Sequence, residues 1–127
     1  MKTINVTLGI LAAILLFSCA LAKSSSMKKA EEKMNFNFSK LNKHGLIKVR
    51  KTTLAFEFCI PNETEYLNEI KSIDESIAVY KSSDGKIGCG KNQILCIGET
   101  AGKDYKKILI SLTKLPYVKN IDESFFE

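Results

Sequence analysis

The sequence predicts an α+β fold in which two amphipathic helices cover one face of a four-stranded antiparallel sheet. Three observations lead to it. Apolar side chains alternate at a period of two from Leu54 to Ile60. They recur at helical spacing in two later stretches. The stretches come in the order strand, helix, strand, strand, helix, strand.

Leu54, Phe56, Phe58 and Ile60 alternate with Ala55, Glu57 and Cys59, so the first strand buries one face and Glu57 points outward. Pro61 ends it. Asn62 is placed to cap a helix, and Glu65 stands three residues later, the spacing of a capping box. Tyr66, Leu67, Ile70 and Ile73 form the apolar stripe of that helix. Residues 76–81, with Ile77 and Val79, read as a short second strand. Ser82-Ser83-Asp84-Gly85 is a turn signal, because Asp-Gly tolerates the positive φ of a tight hairpin. Gly88 and Gly90 suggest a bulge or wide loop before a returning strand over 93–99. Residues 102–115 are the clearest helix, with Tyr105, Ile108, Leu109, Leu112 and Leu115 on one face and Pro116 as the stop. Residues 117–121 supply a last edge strand. This order is that of the ferredoxin-like, split βαβ arrangement, whose first and third strands form the central pair.

The first residues are of another kind. Lys2 is the only charge before Lys23, and the most apolar run extends from Leu8 to Phe17. A short positive lead followed by an apolar run of this length has the proportions of a signal peptide. A buried helix apolar on all sides would need a larger core than so short a chain can build. Residues 1–22 therefore read as a signal segment, 23–45 as a basic tether and 46–127 as a single α+β domain. Ala20-Leu21-Ala22 is a small-x-small cleavage motif that would leave Lys23 first. Leu16-Phe17-Ser18-Cys19 resembles the lipobox of bacterial lipoproteins, although Phe17 stands where that class has a small or β-branched residue. The resemblance implies lipidation of Cys19 and a membrane-anchored place in the cell envelope. Cleavage after Ala22 would instead give a soluble secreted or periplasmic protein. An uncleaved anchor is a third option, since the run only just reaches the roughly 20 residues a membrane span needs. The lysines that follow it would favour keeping that side in the cytoplasm.

Charge is uneven. Residues 23–53 carry nine Lys or Arg and two acids, whereas residues 54–127 carry nine Lys and twelve acids. The lead is basic and the rest mildly acidic. Lys23, Lys28, Lys29 and Lys33 would lie close to the membrane in an anchored protein and be drawn to anionic headgroups. Nucleic acid is the other usual partner of basic segments, but an exported chain rarely meets it and no aromatic-plus-glycine binding motif is present, so none is expected. The plain alternative is that these lysines solubilise a linker.

Three cysteines follow the signal segment: Cys59, Cys89 and Cys96. In an oxidising compartment an odd number leaves one thiol over. Cys89 and Cys96 close the shortest loop and are the favoured disulfide, leaving Cys59 free, while Cys59–Cys96 is the other plausible pair. All three could also be unpaired small hydrophobes. Structural zinc is weakly supported, because its ligands usually come as Cys-x2–4-Cys pairs. The only histidine, His44, sits in a turn-like Asn42-Lys43-His44-Gly45 context, and no nucleophile, metal-hydrolase or phosphate-loop motif is present. Asp74-Glu75 and Asp122-Glu123 read as loop or cap acids. Asn37-Phe38-Ser39 and Asn62-Glu63-Thr64 fit the N-glycosylation pattern, which matters only in a eukaryotic host. The reading is a small exported, lipid-anchored, non-catalytic protein without cofactor or metal, binding another envelope protein in the manner of inhibitor, immunity or exclusion proteins. The alternative is a soft-metal or thiol-dependent carrier using Cys59, Cys89 and Cys96.

Overall fold

The computed structural model describes residues 27–102 and 104–125, so the signal segment, Cys19 and Lys23 lie outside it. The chain is α+β. A helical turn over 27–31 and a 3-10 turn, Phe38–Lys40, precede β1 (Ala55–Pro61), α1 (Thr64–Ile73), β2 (Ala78–Tyr80), β3 (Gln93–Glu99), α2 (Tyr105–Thr113) and β4 (Asp122–Ser124). The strands form one antiparallel sheet in the order β2-β3-β1-β4, with β1 and β3 at its centre.

Register assigns every side chain to a face. Phe58 sits opposite Cys96 and Ile60 opposite Ile94. These four and Phe56 are buried in one cluster with Ile70 of α1 and Leu109 and Leu112 of α2. Burying each such Ile, Leu or Phe contributes about 1.5–3 kcal/mol relative to leaving it in water. The alternate positions, Glu57, Cys59, Leu95 and Ile97, share the opposite face. That face is covered as well. The β2–β3 connection folds back over it, so that a Cβ placed on Gly85 would lie 2.6 Å from Leu95 Cδ1 and 3.4 Å from Glu57 Oε1.

This covering overturns one expectation. Glu57 was to face outward from a half-buried strand, yet it is only 2 % exposed. Alternation does place it off the helix face, but the far face is roofed by the chain itself rather than left to solvent.

Three boundaries also move. Asn62 does not cap α1: its N–H donates to Asn92 O at 2.9 Å, and Glu63 is the N-cap, without a side-chain cap bond. The last strand is not 117–121 but β4, over Asp122–Ser124. Tyr117 and Val118 close the helix end instead, Val118 donating to Leu115 O and Tyr117 packing edge-on against Tyr66 at 4.6 Å. The expected tether is folded from residue 27 onward. Ala30, Met34 and Leu41 are buried in the core, and Met34 bridges Ile121 in parallel beside β4. Isolated apolar residues in a lysine-rich run give no periodic signal, which is why this part reads as linker.

Candidate functional site

Two surface features stand out. The first is the β2–β3 connection, residues 81–92. Its own hydrogen bonds shape it: Cys89 N–H donates to Asp84 O at 2.7 Å, Gly85 N–H to Ser83 Oγ, and Gly90 N–H to Gln93 Oε1. Two further ties hold it to the sheet. Cys59 and Cys89 form a disulfide across Cα atoms 5.6 Å apart. Glu57 Oε1 accepts the Ile87 N–H at 2.5 Å, while Oε2 accepts the Ser124 hydroxyl at 2.9 Å. One buried carboxylate thus links β1, β4 and the loop. Lys81, Ser82, Ser83, Asp84 and Lys86 remain exposed along the loop.

The disulfide corrects the expected pairing. Cys96 faces the helices, opposite Phe58, whereas Cys59 faces the loop that carries Cys89. A one-residue offset along a strand turns the side chain to the other face, and sequence proximity cannot offset that. Cys96 is the free cysteine among the described residues, fully buried, and burial pushes its thiol up to about 12 from 9.0, the nearby Lys71 opposing this in part. The three cysteines therefore do not converge. Among the described residues no group of three or more His, Cys, Asp or Glu is placed to hold a metal ion.

The second feature is an open cleft of about 520 Å³ beside the edge of the sheet. A turn over residues 47–52 forms one wall, closed by Ile47 N–H to Thr52 O at 2.7 Å and Lys51 N–H to Ile47 O at 2.6 Å. Lys51 takes a positive φ of 52° to complete it. Lys40, Lys48 and Arg50 line the cleft, with Glu123 as the single carboxylate of its lining among the described residues. Val49, at the apex of the turn, is 93 % exposed, and Phe125, which also lines the cleft, is 60 % exposed. Lys86 from the pinned loop lies 4.4 Å from the Phe125 ring centroid.

The other expected basic residues separate. Lys28 and Lys29 are exposed, but Lys33 spends its ammonium on Val118 O at 2.9 Å and Leu115 O at 3.3 Å, cementing the lead to the end of α2. His44 is exposed in a turn shaped by Asn42, whose Oδ1 accepts from the His44 and Leu46 amides. Sequence reasoning overlooked Val49 and Phe125. The usable signal was the absence of any acid between Glu32 and Glu57 while five cations fall between residues 40 and 51.

The features define a disulfide-tied α+β domain with a pinned loop and a cationic cleft. No protein-family model, curated protein or solved structure matches the chain.

Proposed function

We propose that this is an exported, non-catalytic protein of the cell envelope that binds another protein through its pinned loop, residues 81–92. One observation carries the reading: the loop is fixed before any partner arrives, by Cys59–Cys89 and by the Glu57 carboxylate on Ile87. Binding through a flexible loop costs ordering entropy, and a loop already held in place avoids most of it. Inhibitor and immunity proteins need this property, because they act by occupancy rather than by turnover. The disulfide also suits an oxidising compartment. Among the described residues no helix is long and apolar enough to cross a membrane. Within the proposal, lipidation at Cys19 would attach the chain to the membrane, and cleavage after Ala22 would instead release it. Within the same proposal the fold is of the ferredoxin-like, split βαβ type, supported by the element order and by the central β1–β3 pair.

The test is site-specific photocrosslinking in envelope extracts. A crosslinker at Ser83, exposed on the loop, should capture one discrete partner; the same group at Lys107, exposed on α2, should not. Capture at neither position, or equally at both, would sink the proposal.

A further inference from the structure

We propose that the turn Lys48-Val49-Arg50-Lys51 and the cleft behind it dock the protein on an anionic lipid surface. Charge complementarity names the occupant. Among the described residues three cations line the cleft against one carboxylate, and Lys51 and Lys86 stand beside it. No acid occurs in sequence between Glu32 and Glu57, so nothing within this stretch neutralises the patch.

Shape distinguishes a membrane from an acidic peptide. A peptide groove carries its apolar contacts on the floor, where they grip side chains. Here Val49 and Phe125, the two most exposed large apolar side chains among the described residues, line an open cleft, and Val49 crowns the apex of a turn. A protruding aliphatic group flanked by cations in sequence suits a flat interface. The apolar tip enters the headgroup region while the long Lys and Arg side chains reach phosphates around it. Each cation near an anionic membrane strengthens binding about fivefold. The turn is held by two short backbone hydrogen bonds, so the tip is presented rather than found.

The chain contains no tryptophan, so Val49→Trp introduces a single fluorescent reporter at the tip. Val49 is exposed, so the fold is not disturbed by the exchange. On vesicles of equal phosphatidylcholine and phosphatidylglycerol the emission of the full-length variant should shift to the blue and be quenched by brominated acyl chains. It should stay red on pure phosphatidylcholine even if the first residues attach the chain there. Adding Lys48→Gln and Arg50→Gln should weaken the response roughly 25-fold, at about fivefold per cation removed. Rising salt should weaken it further, as for any exposed charge pairing. An equal shift on both vesicles overturns the charge argument. No shift on either, or a shift only with a polyglutamate peptide, overturns the lipid surface as occupant.

Discussion

The Glu57 carboxylate accepts the backbone N–H of Ile87, thirty residues further along the chain, at 2.5 Å. Through this contact a residue in the middle of the sheet dictates the path of the loop that roofs it. A hydrogen bond to a charged group is worth about 1.5–3 kcal/mol, and a buried donor left without a partner adds to the loss. Glu57→Ala should therefore destabilise the protein by about 2–4 kcal/mol in urea unfolding. Glu57→Gln keeps a carbonyl oxygen for Ile87 and should cost about half as much. If both variants melted like the parent, Glu57 would not be holding the loop.

The Cys59–Cys89 disulfide closes a 30-residue span that contains α1, β2 and the loop. Chain-entropy reasoning gives roughly 3–4 kcal/mol for a loop of that length. Peptide mapping without reductant should find Cys59 joined to Cys89, with Cys96 resisting alkylation until the protein is unfolded. The double variant Cys59→Ser/Cys89→Ser should lose most of that stability. Proteolysis should then begin within residues 81–92, where the Glu57 contact with Ile87 and the Asn62–Asn92 hydrogen bond are left to hold the loop. Cleavage first in the 47–52 turn would argue against this.

The first strand was the most legible part of the chain, because alternation is written locally: Phe56, Phe58 and Ile60 face the helices as their spacing requires. What covers the other face is not written locally. Glu57 and Cys59 lie on that face, but only the long-range return of residues 81–92 makes it an interior. The disulfide failed to emerge for the same reason. Spacing favours the short Cys89–Cys96 loop, whereas the pairing is decided by which face each cysteine occupies. Ala30, Met34 and Leu41 went unread because their burial depends on joining a core built by the later strands and helices, as where Met34 bridges Ile121. The cationic cleft was half legible. The run of lysines is plain, but that Val49 tops a turn and shares a cleft with Phe125 follows only from the fold.

Gly45 shows how firmly the lead is docked. It has a φ of 75°, and a Cβ there would meet the Thr100 carbonyl oxygen at 1.7 Å. Thr100 in turn donates its hydroxyl to Gly45 O at 2.6 Å and accepts the Leu54 amide at 3.1 Å. Gly88 has a similar φ of 81° but open space where its Cβ would stand. Alanine at Gly88 should cost about 1 kcal/mol, the left-handed backbone penalty alone. At Gly45 the collision is with backbone that cannot move aside, so the loss should be several-fold larger and accompanied by detachment of residues 27–45. Hydrogen exchange read at Met34 and Leu41 tests this, with unchanged protection there in Gly45→Ala counting against it.

Cys96 gives the stability a pH dependence of known sign. Its thiol sits among Phe58 and the helix side chains, and burial raises its pKa from 9.0 to about 12. In the unfolded chain it ionises at its ordinary value, while in the folded chain it stays protonated. Above pH 9 the folded state therefore holds the extra proton, and stability falls as pH rises until the folded thiol itself ionises. The contribution is complete below pH 9 and declines across the window from 9 to about 12, by at most about 1.4 kcal/mol per pH unit. Tyr105 and Tyr117 also have raised values, both chiefly through burial, Tyr117 with the Glu69 carboxylate beside it adding to the rise, and they act in the same direction. The slope of the parent alone therefore does not isolate the thiol. Comparing parent with Cys96→Ala does: the variant should start less stable at neutral pH, from the lost packing, and decline less steeply above pH 9. Parallel curves would mean that Cys96 ionises as readily in the folded protein as in the unfolded chain, and that the interior around Phe58 admits water.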